Sequence, residues 1–202
     1  MSTSAMITPV FTFDPWERYV MTMEEIDARK KRITAALNSG QVPYAIIGGM
    51  AVAEWVASKD PDGVRTTKDV DMLLDRSDLD AAKFAAATVG LDYHVVSEIG
   101  MFLERENPSP KRGVHLIWAG ETVRQGDPLP APQVSRSIVF PSGSRIVCLE
   151  DLIGMKLVAF RRHDQVHLAD MFNVGLWDQS WVPNYPPVLA AKLQQIVDNP
   201  VA

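Results

Sequence analysis

Cysteine is nearly missing from this chain. Cys148 stands alone, so no disulfide can close within the chain and no cysteine-based zinc site can form, which agrees with a reducing compartment. Long apolar runs are missing as well. Nothing approaches the roughly 20 consecutive apolar residues of a membrane helix. The opening stretch MSTSAMITPVFTFDPWE has no basic region followed by an apolar run. The expected location is the cytoplasm, with no membrane partner. There is no excess of positive charge. A formal net charge of −5 disfavours binding nucleic acid through overall charge, because that binding draws on neutralising many phosphates together. Arg65, Lys68, Lys111, Arg112, Arg124, Arg136, Arg145, Arg161 and Arg162 either form a local basic patch or belong to a solvated surface.

What remains is an ordinary globular mixture. With 202 residues, 47% hydrophobic and 22% charged, the chain is sized for one large domain or one domain with a helical extension. No internal repeat is present. Thr22 and Glu25 have the form of a capping box, followed by Ile26, Ile33 and Leu37 at helical spacing up to Ser39-Gly40. Tyr44 to Ile47 is a short apolar run that ends at Gly48-Gly49, after which Met50 to Ala57 is helix-forming. Pro61-Asp62-Gly63 marks a turn before a strand made of Val70, Met72, Leu73 and Leu74. A helix capped by Ser77 and Asp80 should stop at Gly90. Strands are predicted over 93–96, 114–118, 138–140 and 145–149, the last two joined as a hairpin across Pro141-Ser142-Gly143. From Glu150 the pattern turns helical, with helices through Leu152 to Phe160, Val166 to Val174 and Pro187 to Val197. The segments 107–112 and 126–132 read as loops. The fold class is therefore α+β: a small mixed β-sheet with helices on one side over 1–149, then a C-terminal helical region over 150–202, packed as one unit.

Two acids interrupt the apolar strand at its start. Asp69 and Asp71 are two residues apart, so on a strand their carboxylates leave from one face, close enough to share a metal ion. Like charges that close repel, and Mg²⁺, which takes one or two carboxylates plus water and phosphate oxygens, would hold both ionised. The glycine corner at Gly48-Gly49 offers bare backbone N–H groups and a positive helix end for phosphate. Simple exposure of the acids and a merely tight turn at the glycines are the alternatives.

This arrangement resembles the polymerase-β-like nucleotidyltransferase superfamily, and within it the AbiEii-type abortive-infection toxins and related bacterial proteins. The likeness is carried by YAIIGGMAVAEWVASKDPDGVRTTKDVDMLL and by LEDLIGMKLVAFRRHDQVHLADM, roughly residues 43–172. It implies a nucleotidyltransferase-like fold, with Mg²⁺ held by Asp69 and Asp71 and a nucleoside triphosphate cradled by the Gly48 and Gly49 backbone. It further implies transfer of a nucleotidyl group to RNA (tRNA for example), a protein or a small molecule. An antitoxin protein would be a partner if the chain is a toxin. Lys156 matches the family lysine and would contact phosphate. Asp164 matches a later acid that orients Lys156 or the acceptor, or else caps the next helix. Arg65 and Thr67 would fix the loop before the acids or touch phosphate, with Arg161 or Arg162 a further phosphate contact.

Two departures stand out. Gly49 replaces the serine many members carry, leaving backbone alone. In the strand GVHLIWAG, His115 stands where a third carboxylate often sits. A histidine can act as a base near neutral pH but replaces a hard oxygen ligand on Mg²⁺ poorly. His115 is thus a base or a strand residue without a role. In the second case the chain either relies on the remaining acids or is a catalytically impaired relative that binds nucleotide or a partner. His163 and His167, four apart on a helix, have spacing a transition metal can use, or are structural. A phosphatase or sugar transferase using Asp-x-Asp in another fold is the remaining class.

Overall fold

The computed structural model describes residues 14–199. The opening segment read above for a leader falls largely outside them.

Helix α1 (Pro15–Ser39) begins earlier than the Thr22 box suggested. Asp14 caps it by accepting the Trp16 N–H, and proline occupies the first turn, where its missing donor costs nothing. Thr22 instead lies inside the helix and donates its hydroxyl back to the Arg18 carbonyl, which satisfies it without ending anything. Ile26, Ile33 and Leu37 form the buried stripe of α1. Fully burying one such side chain contributes about 1.5–3 kcal/mol.

Strand β1 (Ala45–Ile47) turns at Gly48 into α2 (Gly48–Ala57). Next come β2 (Val70–Leu74), α3 (Leu79–Thr88) and the hairpin of β3 (Leu91–Val96) and β4 (Ile99–Glu104). Then follow β5 (Val114–Trp118) and a second hairpin, β6 (Ser137–Val139) and β7 (Arg145–Val147). The chain closes with α4 (Leu149–Ala159), α5 (Arg162–Asn173) and α6 (Pro187–Asp198). The Ser77 cap is not used: a short 3₁₀ turn at Arg76–Asp78 leads into α3 without a side-chain cap. Helix α5 starts four residues before the expected Val166.

All strands join one seven-stranded sheet in the order β3-β4-β5-β2-β1-β7-β6. It is mixed: β2 runs parallel to β5 and β1 to β7, while β1–β2, β3–β4, β4–β5 and β6–β7 are antiparallel. Mixed sheet and appended helices give the α+β class expected. Strand β4 was not foreseen. Its hairpin turns at Ser97 and Glu98, both with positive φ, and neither turn position is a glycine or asparagine that would announce it.

The central strands are the most buried. Ala45, Ile46, Met72 and Leu73 are closed to solvent and join one core with Leu152, Ile153, Leu157, Leu168 and Leu193 of the C-terminal helices. Trp55 Nε1 fastens α2 to the sheet by bonding the Val147 carbonyl at 3.0 Å, and Trp177 Nε1 holds the turn after α5 to the Leu168 carbonyl at 3.1 Å. Lys192 ties α6 to α4 by donating to the Leu157 carbonyl. Among the described residues, no helix is long and apolar enough to cross a membrane.

Candidate active site

Side chains alternate along a strand, so Asp71 of β2 shares a face with His115 and Ile117 of β5, while Val70, Met72, Val114 and Leu116 turn the other way. The register sets Asp71 beside His115 on one side and beside Ile47, the last residue of β1, on the other. Asp71 thus sits on the middle strand of the sheet, opposite the residue that precedes the glycine corner. Asp69 falls immediately before β2 and is exposed. Its charge still reaches His115.

Gly48 and Gly49 serve different neighbours. Gly48 has φ +69°, and a Cβ there would lie 2.2 Å from Asp71 Oδ2. Only a bare α-carbon lets that carboxylate rest against the corner. A Cβ on Gly49 would lie 2.6 Å from Thr67 Oγ1 and 3.7 Å from His167 Cε1. Ile47, the N-cap of α2, makes no side-chain capping bond, so the first-turn N–H groups have no cap from that side chain. The loop bearing Thr67 is held at two further points. Arg65 pairs with Asp170 of α5 at 2.6 Å, and the Tyr19 hydroxyl donates to Thr66 Oγ1 at 2.9 Å. Arg65 is thereby engaged in fixing the loop.

Both ring nitrogens of His115 are occupied, Nδ1 with Asp71 Oδ1 at 3.3 Å and Nε2 with the Pro110 carbonyl at 3.1 Å. The Asp71 hydrogen bond raises the imidazole pKa above its ordinary value. Burial opposes this, and the Pro110 carbonyl and the charges of Asp71 and Asp69 add to the rise.

Lys156 and Asp164 meet although eight residues apart. Phe160, with φ +45°, ends α4 in the left-handed region, and α5 starts two residues later, so the two helices fold back on one another. Lys156 Nζ donates to Asp164 Oδ1 at 2.9 Å, with the two residues 6% and 1% exposed. Asp164 Oδ2 accepts from the Arg161 backbone N–H at 3.1 Å and its Nε at 3.0 Å. Asp164 is therefore both the partner of Lys156 and the third-position acid of a capping box on α5. Burial pushes its carboxyl up, but the charge and hydrogen bond of Lys156 together with Arg161 outweigh this and hold it below the usual range.

A cleft of about 310 Å³ joins these groups, lined by Gly48, Asp71, His115, Lys156, Arg161 and Asp164. Asp69, Gly49, Arg65 and Thr67 are not in its wall. The rest of its wall was missed by sequence reasoning: Ile99 at the start of β4, Ile117, a 123–131 segment with Val123 and Leu129, and Met155 and Val158 of α4. No local pattern marks these residues, which come together only by packing.

The His163 and His167 rings lie 6.1 Å apart, edge to face. Among the described residues, no group of three or more His, Cys, Asp or Glu is placed to hold a metal. His167 is depressed to about 4, first by burial and then by the Lys156 charge. Its folded pKa lies below the unfolded 6.5, so the unfolded chain binds the extra proton between these values and stability is lost as pH falls through that window. Between pH 7 and 5 a loss on the order of 1–2 kcal/mol is expected from this group. Urea unfolding at both pH values checks it. An equal loss in His167→Gln would assign the effect to other groups.

No family model matches the chain, and no curated protein matches it. Three of the solved structures similar to it are the following. A crystal structure of ANT(2'')-Ia in complex with adenylyl-2''-tobramycin is 14% identical, covering 88% of this chain and 94% of that one, with a TM-score of 0.42. A solution structure of the antibiotic-resistance factor ANT(2'')-Ia is 14% identical over 91% and 89%, with a TM-score of 0.39. A crystal structure of the Megavirus polyadenylate synthase is 11% identical, covering 100% of this chain but 38% of that one, with a TM-score of 0.44. Likeness at these levels says nothing of activity.

Proposed function

We propose that the chain moves a nucleotidyl group from a nucleoside triphosphate to an acceptor hydroxyl, with magnesium as its metal. One observation carries this reading: the Asp71 carboxylate rests against the bare Gly48 corner, inside a cleft that Lys156 and Arg161 also line. The donor set fits the metal. Asp69 and Asp71 offer two hard carboxylates, and Mg²⁺ takes one or two of these and completes its shell with water and phosphate oxygens. Bound there, it supplies charge neutralisation on the transferred phosphoryl group.

The residues of the chain do the positioning. First-turn N–H groups of α2 at Gly48 and Gly49 receive phosphate oxygens, helped by the positive end of the helix. His115 spans Asp71 and the Pro110 carbonyl, so it orients the carboxylate rather than serving as the base. Lys156, fixed by Asp164, adds positive potential in the cleft wall, and Arg161 adds it at the rim. The acceptor oxygen bonds to the transferred phosphorus, pyrophosphate leaves, and the hydroxyl proton passes to the carboxylate pair. The AbiEii resemblance extends this to the toxin of a toxin–antitoxin pair, with an antitoxin protein as partner and RNA, protein or a small molecule as acceptor.

The His115–Asp71 bond favours a second reading. A protonated imidazole beside Asp71 competes with any cation for that carboxylate, which suits a catalytically impaired relative that binds nucleotide or a partner. Incubation with Mg²⁺ and α-labelled nucleoside triphosphates separates the two. Label transferred to an acceptor, with pyrophosphate released and chelator-sensitive, is expected. Calorimetric binding of nucleotide without product across RNA, protein and small-molecule acceptors would install the second reading. Neither binding nor transfer would sink both.

A further inference from the structure

The wall of the cleft beside Asp71 is mostly apolar. Asp71, His115, Lys156 and Asp164 line it together with Ile117, Leu129, Met155 and Val158. The charges lining the whole cleft balance, with Asp71, Asp127 and Asp164 against Lys156, Arg124 and Arg161. The three carboxylates and two of the three cations are engaged: Lys156 and Arg161 bond Asp164, His115 bonds Asp71, and Asp127 Oδ2 accepts from the Arg124 backbone N–H at 2.8 Å. Ile99 and Val123 line the cleft while 46% and 54% exposed, so part of its opening is apolar, beside the exposed Arg124 and Arg161.

The wall is built in advance. The segment from Gly120 to Ala131 is closed on itself by Gly120 N–H to the Ala131 carbonyl at 3.0 Å and Ala131 N–H to the Glu121 carbonyl at 2.8 Å. Arg76 of the turn before α3 pairs with Glu121 and anchors it to the body of the domain.

A polynucleotide acceptor needs a run of uncommitted cations along its phosphates. This cleft has balanced charge, belongs to a chain of net charge −5, and at about 310 Å³ lies at the small end of ligand pockets, which run to roughly 300–1,000 Å³. Resting on the transfer reading above, we infer that the acceptor is a small uncharged molecule whose apolar body fills the outer cleft between Ile99, Val123 and Val158 and whose hydroxyl points to Asp71. The apolar body contributes affinity by area, and the polar end sets its orientation.

The test uses the whole chain and a neutral apolar fluorophore, N-phenylnaphthylamine, as probe. Ile99→Asp/Val123→Asp changes two exposed positions and leaves the core intact, and Val158→Trp fills the cleft from α4. Saturable fluorescence with the unaltered chain, weakened about tenfold or more in each variant, is expected. With Mg²⁺ and labelled triphosphate, label should pass to phenylethanol and not to RNA, and the same variants should suppress it. Equal probe binding by all three chains overturns the inference. So does displacement of the probe by Mg²⁺–ATP alone, which would assign the apolar wall to a nucleobase, and so does RNA labelling that both variants leave unchanged. Probe binding that both variants abolish, with no acceptor labelled, keeps the apolar subsite and removes the transfer reading instead.

Discussion

Asp164→Ala should lower the unfolding free energy by about 3–5 kcal/mol, because it strands the buried ammonium of Lys156 without its counter-charge. The cost is one-sided. Lys156 is 6% exposed and its Nζ donates to Asp164, so in the variant the ammonium must desolvate unpaired or lose its proton. The same substitution removes the acceptor of the Arg161 N–H at the start of α5. Replacing both partners, as in Lys156→Met with Asp164→Leu, should recover much of the loss, since an apolar pair of similar volume is often as stable as the ion pair it replaces. Urea denaturation of the three chains at pH 7 reads this directly. A loss below about 1 kcal/mol in Asp164→Ala would be the value of an exposed pair and would contradict the burial described.

Gly48→Ala should reduce transfer by about 10²–10³-fold, comparable to removing one preorganised electrostatic group from an active site. Two independent causes act at this position. A left-handed backbone costs a non-glycine residue about 1–2 kcal/mol. The added carbon also falls 2.2 Å from Asp71 Oδ2, so the carboxylate must swing away from the corner it rests on. Gly49→Ala is the informative comparison, because its carbon would meet Thr67 and leave Asp71 in place. Label transfer and calorimetric affinity for Mg²⁺–nucleotide would both be measured, with the fold checked by circular dichroism. Turnover and affinity unchanged in Gly48→Ala would remove the glycine corner from the site.

The parts of this site that depend on neighbouring residues were legible in the sequence. A strand, a glycine corner and a helix at 45–57, and an acid pair opening a strand near 70, are local patterns with local causes. What escaped depends on chemistry that sequence disguises. Strand β4 follows a turn whose positive φ values fall on Ser97 and Glu98, so no glycine advertises it. Thr22 resembles a helix cap but is satisfied by the carbonyl four residues earlier, which leaves the true start to Asp14 and Pro15. The resemblance offered Asp164 as a partner of Lys156, but the left-handed Phe160 that brings them together is a conformation no residue-type preference would suggest. The apolar cleft wall was invisible because residues 99, 117, 123, 129, 155 and 158 become neighbours only in the packed molecule.

The self-closed segment between Gly120 and Ala131 has a consequence for how this scaffold can diversify. Its ends are tied to each other and Glu121 to the turn before α3, and its one carboxylate in the cleft wall, Asp127, accepts from the segment's own Arg124 backbone N–H. Side chains along it can be exchanged, lengthened or shortened while Asp71 and Gly48 keep their mutual placement. On the proposed transfer reading, choice of acceptor and the machinery of transfer would be carried by separate stretches of chain, free to change at different rates.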